Sequence, residues 1–89
     1  MMVFKRKDKF SYLARFVVDS EGKRIGESIS IFEDLLIIKK NDKFYAIPFK
    51  HVELKENEIH IKGVIQWDKA EELARRWKNA QNGYSGKQD

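Results

Sequence analysis

The sequence predicts a small antiparallel β-barrel of about six strands with one C-terminal α-helix. Short stretches in which apolar and polar residues alternate, separated by turn residues, predict the strands, and one later stretch with helical spacing predicts the helix. With 89 residues and no cysteine, the chain is a single domain that depends on its core or on a partner for stability. We expect a basic N-terminal arm at residues 1–9, the barrel domain at residues 10–79 with its helix at 68–79, and a flexible tail at 80–89.

The first hairpin is predicted around a turn at residues 19–22. Alternate residues before this turn are mostly apolar, as in a half-buried strand: Phe10, Tyr12, Ala14, Phe16 and Val18. The carboxylate of Asp19 can accept the backbone N–H two residues on, which starts a turn. Gly22 can adopt the positive φ that ends such a turn. These two residues therefore predict the position of the hairpin.

The second strand of this hairpin contains Gly26. Ile25, Ile29 and Ile31 share one parity and are predicted to face the core. A glycine inside a strand is typical of a bulge or bend, which coils a hairpin toward a barrel. A plain hairpin in which Gly26 has no special role is the alternative. In either case Asp19, Gly22 and Gly26 are predicted to have structural roles and to carry no chemistry.

A second hairpin and two further short strands follow. The apolar run 35–38 is followed by Lys39, Lys40 and a turn at 41–42, and an apolar run returns at 44–47 before Pro48. Pro48 lacks a backbone N–H and is predicted to end the strand or lie on an edge. The last two strands are predicted around the apolar residues Val52, Leu54, Ile59 and Ile61.

The pattern changes to that of a helix at Asp68. Asp68 and Glu71 have the spacing of a capping box, with Asp68 predicted as the N-cap. One apolar stripe follows at helical spacing: Ala70, Leu73, Ala74 and Trp77. The polar, glycine-containing segment from Ala80 onward predicts the end of the helix.

These residues carry a resemblance to a known family. The run from Asp19 through Gly22 and Ile25 to Gly26, with Ala46-Ile47-Pro48 and Val52 further on, resembles the PRC-barrel family of small β-barrel domains over residues 10–63. The resemblance implies a non-catalytic adaptor, such as those found in ribosome maturation, reaction-centre assembly and archaeal adaptors near the division machinery.

Composition and spacing give no sign of catalysis, a cofactor, a metal site or a small-molecule substrate. His51 and His60 lie on different predicted elements, and the acidic cluster Glu53, Glu56 and Glu58 is typical of a solvated rim. No apolar run has the roughly 20 residues that cross a bilayer, and the N-terminus lacks the apolar core of a secretory signal. We therefore expect a cytoplasmic protein. The frequent Lys and Glu, with no Cys and one Pro, are thermophile-like.

Self-association, as a homodimer, is the leading functional prediction, together with docking of a protein or ribonucleoprotein partner. The run 35–38 places apolar side chains on both faces of its strand, and one face needs a cover. Either the C-terminal helix covers that face, or a second copy does. The residues predicted for self-association are Leu36, Ile38, Phe44 and Trp77.

Nucleic-acid binding is the alternative prediction. The chain has 18 Lys and Arg against 14 Asp and Glu, a net charge of +4. Phosphate contacts require only a basic patch, and an exposed aromatic ring can stack on a base. The residues predicted for this role are Lys5, Arg6, Lys7, Lys39, Lys40 and Lys43.

Overall fold

In a computed structural model, residues 9–86 form six strands, one α-helix and two 3₁₀ helices, and side chains are described for residues 11–81. The strands are β1 (Phe16–Val18), β2 (Arg24–Phe32), β3 (Leu35–Lys40), β4 (Lys43–Pro48), β5 (Val52–Lys55) and β6 (Glu58–Ile61). The helix is α1 (Trp67–Gly86), and the 3₁₀ helices are Lys9–Tyr12 and Phe49–His51.

The six strands form one mixed sheet. Their order across the sheet is β4-β3-β2-β1-β6-β5. β1 pairs in parallel with β6, while the other neighbours are antiparallel. Within residues 9–86 the edge strands β4 and β5 are not paired with each other, so the sheet is open. The prediction of an entirely antiparallel sheet is therefore wrong, because β6 returns beside β1 in the same direction.

The sheet is nevertheless strongly curled. Its two edge strands follow one another in the chain, separated only by the 3₁₀ helix Phe49–His51. In a flat sheet, six strands at about 4.8 Å spacing would hold the edges about 24 Å apart. The chain from Pro48 to Val52 can span at most about 14 Å. The sheet must therefore bend until its two edges approach each other at this connection.

Two apolar clusters lie on opposite faces of the curled sheet. The inner cluster fills the concave side and comprises Val17, Leu36, Ile38, Tyr45, Ile47, Val52, Ile59, Ile61 and Ala70. The outer cluster comprises Leu35, Ile37, Ala46 and Ala74, with Phe32, Phe44, Leu73 and Trp77 packed against it. The alternation of β3 and β4 between these clusters follows the two-residue period of a strand.

The helix α1 contacts both clusters in succession. Trp67 and Ala70, in its first turn, pack against the inner cluster. Leu73, Ala74 and Trp77 pack against the outer cluster. Because these clusters lie on opposite faces of the sheet, α1 crosses the edge formed by β4 and then covers the outer face of β3 and β4.

The helix is longer than predicted. It begins at Trp67, and the N–H of Ala70 donates to the carbonyl of Gln66 at 2.9 Å. Asp68 therefore lies in the first turn and is not the N-cap. In that position its negative charge interacts favourably with the helix dipole. The segment predicted as a tail is helical as far as Gly86, and residues 87–89 lie outside the described residues. In the described part of the chain, no helix combines the length and apolar character needed to cross a membrane.

The predicted turn at residues 19–22 is present. The Oδ1 atom of Asp19 accepts the N–H groups of Glu21 and Lys23, each at 2.9 Å. The N–H of Gly22 donates to the carbonyl of Asp19, and Gly22 has a φ of +83°. The residue types at these two positions are thus explained by backbone geometry.

Gly26 lies where two backbones approach closely. The register between β1 and β2 shifts beside it, as predicted for a bulge. A Cβ atom at Gly26 would lie 2.5 Å from the carbonyl oxygen of Lys39. The neighbouring strand β3 therefore requires a residue without a side chain at this position.

The strand predicted from Phe10 onward is mostly absent. Residues Lys9–Tyr12 form a 3₁₀ helix, and Ala14 has a φ of 59°, so the chain turns before β1 begins. The buried hydroxyl of Ser28 holds this turn, because it donates to the carbonyl of Tyr12 at 2.6 Å and accepts the N–H of Arg15 at 3.0 Å.

Two apolar residues of this hairpin face solvent, contrary to the predicted parity. Phe16 lies on the outer face and is 49% exposed, while its neighbour Val17 enters the core. Ile29 is 37% exposed because the register between β2 and β3 shifts at this position. A register shift of one residue moves a side chain to the opposite face.

We expect Gly26→Ala to destabilise the fold by about 1–3 kcal/mol, because the added methyl group must displace the backbone of β3. Urea unfolding followed by far-UV circular dichroism measures this change. Gly22→Asn is the control, since no atom lies within 4 Å of a Cβ there and asparagine tolerates a positive φ. Equal unfolding midpoints for the two variants would contradict the close-approach explanation.

Candidate docking groove

A groove of about 410 Å³ lies where β4 ends and α1 begins. We call it the lysine groove. It is framed by the end of β4, the 3₁₀ helix Phe49–His51, the end of β6, the connection 62–66 and the first two turns of α1. Its lining residues are Ala46, Ile47, Pro48, Lys50, His51, Ile61, Lys62, Val64, Ile65, Gln66, Lys69, Ala70 and Leu73.

The lysine groove has an apolar floor and a cationic rim. Ile47, Ile61 and Ala70 are buried and form part of the floor. Lys50 and Lys62 are exposed on the rim. The lining contains three lysines and one histidine but no Asp or Glu. A ligand with both apolar and anionic groups matches this combination.

The three rim lysines lack ion-pair partners among residues 11–81. No carboxylate in that range lies within 4.0 Å of the ammonium group of Lys50, Lys62 or Lys69. Among the Lys and Arg residues in that range, Arg24, Lys43 and Arg76 have a carboxylate partner, Arg76 with Glu33 at 3.1 Å. Unneutralised charges beside an apolar wall produce a positive potential that attracts anions.

The local backbone explains why these side chains converge. The backbone of β5 and β6 remains paired past the strand ends, since the N–H of Lys62 donates to the carbonyl of His51 at 2.8 Å. This bond places the connection after β6 beside the 3₁₀ helix Phe49–His51. The chain then passes through Val64 and Ile65 and enters α1, which brings Lys69 to the same opening.

Val64 is the most exposed large apolar residue among those described. Its side chain is 93% exposed and lines the lysine groove. Isolated exposed apolar residues are common on protein surfaces. The position of Val64 next to an apolar floor, however, extends the apolar surface out of the groove to the rim.

Two of the residues predicted for self-association lie in the core of the single chain. Leu36 and Ile38 belong to the inner cluster and are 0% exposed. They cannot contact a second copy in this fold, so their assignment to an interface is corrected. The other face of β3 is covered by α1, which is the first of the two alternatives considered for this strand.

The other two residues predicted for self-association, Phe44 and Trp77, contact each other within the chain. Their ring centroids are 5.3 Å apart, and both side chains are half-buried against the outer cluster. The parts that remain exposed border a small hollow with Lys78 and Gln81. These residues thus serve first to hold α1 on the sheet.

The structure describes three of the six predicted nucleic-acid residues: Lys39, Lys40 and Lys43. Lys5, Arg6 and Lys7 lie outside the described residues. The ammonium of Lys40 lies 5.3 Å from the ring centroid of Trp67, and that of Lys43 lies 3.8 Å from a carboxylate oxygen of Glu71. Lys39 is exposed and lies opposite Glu27 in the register of β2 and β3. Two of these three hairpin lysines thus contact side chains of α1.

The remaining titratable residues are dispersed. The Nε2 atom of His60 is 3.8 Å from the Oε1 atom of Glu58, and Glu58 also contacts Arg24 at 3.6 Å. His51 lies in the lysine groove. Across residues 9–86, no three His, Cys, Asp or Glu side chains are grouped in a way that could hold a metal ion.

The sequence did not identify the lysine groove. Lys50, Lys62 and Lys69 are isolated lysines on three separate segments: a 3₁₀ helix, the connection after β6 and α1. A charge cluster made from distant positions leaves no run in the sequence, so only the folded chain brings it together. The available signal was the pair Val64 and Ile65, apolar residues between the last predicted strand and the predicted helix.

Residues 13–83 match the family described as "Family of unknown function (DUF5749)". The chain belongs to that family. The matched segment contains all six strands, the complete lining of the lysine groove and most of α1. We found no similar sequence among curated proteins.

We expect Ile38→Glu to unfold the chain, because it places an unpaired carboxylate in the fully buried inner cluster. Thermal unfolding by circular dichroism measures this. Ile29→Glu is the matched control, since the same substitution there puts the charge at a surface position. A folded Ile38→Glu variant with an unchanged melting temperature would contradict the burial of Ile38.

Proposed function

We propose that the protein is a non-enzymatic binding module that docks a protein or ribonucleoprotein partner in the lysine groove. One observation carries this proposal: three rim lysines without carboxylate partners surround an apolar floor. In the free protein the charges of these lysines are not neutralised by carboxylates, so the rim has a positive potential. An anionic partner would be attracted to the rim and would neutralise it. The apolar floor adds the area that a stable contact requires.

Two further points support an adaptor role. The resemblance to PRC-barrel domains implies adaptors without catalytic activity. The strongly curled six-stranded sheet is compatible with a barrel-like domain, and α1 begins at the open edge where a barrel would close. Membership of the PRC-barrel family and a cytoplasmic location remain predictions from the sequence.

Self-association remains part of the proposal, with a different surface from the one predicted. A dimer must use surfaces that the single chain leaves exposed, which excludes Leu36 and Ile38. Sedimentation velocity over a wide range of protein concentrations tests this part. A monomer at the highest concentration would remove self-association from the proposal and leave docking in the lysine groove unaffected.

Nucleic-acid binding is the second candidate, and an outer surface of β1, β2 and β3 favours it. Phe16 is exposed there, with the guanidinium of Arg24 3.8 Å from its ring centroid. Lys39 borders the same shallow hollow. Proteins that bind single-stranded nucleic acid use aromatic rings that stack on bases and cations that contact phosphates, and this surface has one such ring and two cations. Glu27 in that hollow and Glu58 beside Arg24 reduce the positive potential.

We expect Lys62→Glu/Lys69→Glu to abolish capture of the native partner, because the double substitution reverses the charge of the rim. Affinity capture from native lysate, with and without nuclease, measures this. Lys23→Glu/Lys78→Glu is the matched control, with the same change of net charge at exposed lysines outside the groove.

The capture experiment distinguishes the two candidate functions and tests the docking site. A proteinaceous partner that survives nuclease and is lost only from the groove variant supports the adaptor. Nucleic-acid binding is favoured if nuclease removes the captured material and if both variants capture equally reduced amounts of it. Equal capture by the parent chain and the groove variant would exclude the lysine groove as the docking site.

A further inference from the structure

We propose that the lysine groove receives an acidic peptide segment that carries one aliphatic side chain. The aliphatic side chain enters the apolar floor, and flanking carboxylates contact the rim lysines. This inference rests on the proposed docking function and specifies the chemistry of the partner. The peptide is a segment of another protein, presented in an extended or irregular conformation.

The floor of the groove favours an aliphatic anchor. Ile47, Ile61 and Ala70 are buried beneath it, and Ile65 lines it half-buried. Its volume of about 410 Å³ is near the lower end of the 300–1,000 Å³ of ligand pockets. A short peptide stretch with one side chain inserted matches this size better than a folded surface does.

The rim favours carboxylates on that peptide. Lys50, Lys62 and Lys69 come from three separate segments of the chain, so carboxylates on either side of the aliphatic anchor can each contact an ammonium group. The absence of Asp and Glu from the lining means that no carboxylate of the lining itself competes with the peptide. Neutral and basic segments gain nothing from this rim, which gives selectivity by charge.

The same lining disfavours a nucleic acid as the occupant. The apolar part of a single-stranded nucleic acid is the face of its bases, which proteins bind by stacking on aromatic rings. The groove lining contains no Phe, Tyr or Trp, and the imidazole of His51 is its only aromatic ring. It also contains no Arg, the residue whose guanidinium holds phosphate through two parallel hydrogen bonds.

Val64 extends the contact beyond the floor. Its side chain is almost fully exposed in the free chain and borders the opening. A peptide that enters the groove covers this side chain, and burial of apolar surface stabilises the complex. Val64→Ser removes this contribution without disturbing the core, because no buried contact depends on a side chain at that position.

Fluorescence anisotropy with a labelled short peptide, a central leucine flanked by glutamates, tests the inference. We expect saturable binding that weakens with added salt. Replacing the leucine by serine, or the glutamates by glutamines, should weaken binding by about tenfold or more. Val64→Ser and Lys62→Glu/Lys69→Glu should each weaken binding, whereas Lys23→Glu/Lys78→Glu should retain most of it.

NMR on the isotopically labelled protein locates the peptide, through the change in backbone amide chemical shifts when the unlabelled peptide is added. We expect perturbations at Lys50, Lys62, Val64 and Lys69, and little change at Phe16 and Arg24 on the outer face of the sheet. Unchanged far-UV circular dichroism and melting temperature establish that each variant is folded. Perturbations confined to the outer face would overturn the inference.

Three other results would also overturn it. Equal binding of the leucine and serine peptides would show a purely electrostatic surface. Displacement of the peptide by a single-stranded oligonucleotide of higher affinity would assign the groove to nucleic acid. No binding of the peptide, in a protein whose native partner is still captured through the rim lysines, would refute the peptide chemistry and leave the docking function intact.

Discussion

The three-residue connection between the two edge strands is the constraint on which the rest of this structure depends. Because β4 and β5 lie at opposite edges and only Phe49–His51 separates them, the sheet cannot remain flat. The curl creates a concave side that the inner cluster fills. It also brings the end of β4 and the end of β6 together, and this meeting point is where the lysine groove forms.

The helix α1 covers the apolar surfaces that the curled sheet leaves exposed. Its first turn packs at the exposed edge of β4, and its later turns cover the outer face of β3 and β4. The apolar residues on both faces of β3 are thereby explained within one chain, without a second copy. The same helix supplies Lys69 and Ala70 to the groove, so the element that stabilises the sheet also forms part of the candidate docking site.

Local chemistry predicted several parts of the fold. Asp19 and Gly22 specify a turn because a side-chain acceptor and a positive φ act within a few residues. The two later hairpins and the helix were also predicted, because their periodic patterns depend on neighbouring positions. The strand from Phe10 was wrong, since the buried hydroxyl of Ser28 holds a turn at residues 12–15 that alternation alone cannot indicate. Register shifts likewise moved Ile29 to the surface.

The sequence by itself determined the turn at residues 19–22, the two later hairpins and the presence of the helix, because these depend on contacts between near neighbours. Only the tertiary structure decided that β6 lies parallel to β1 and that Leu36 and Ile38 are core residues rather than an interface. It alone assembled the lysine groove, whose lining spans residues 46–73 on separate elements. The reason is that a site built from distant positions depends on the path of the whole chain.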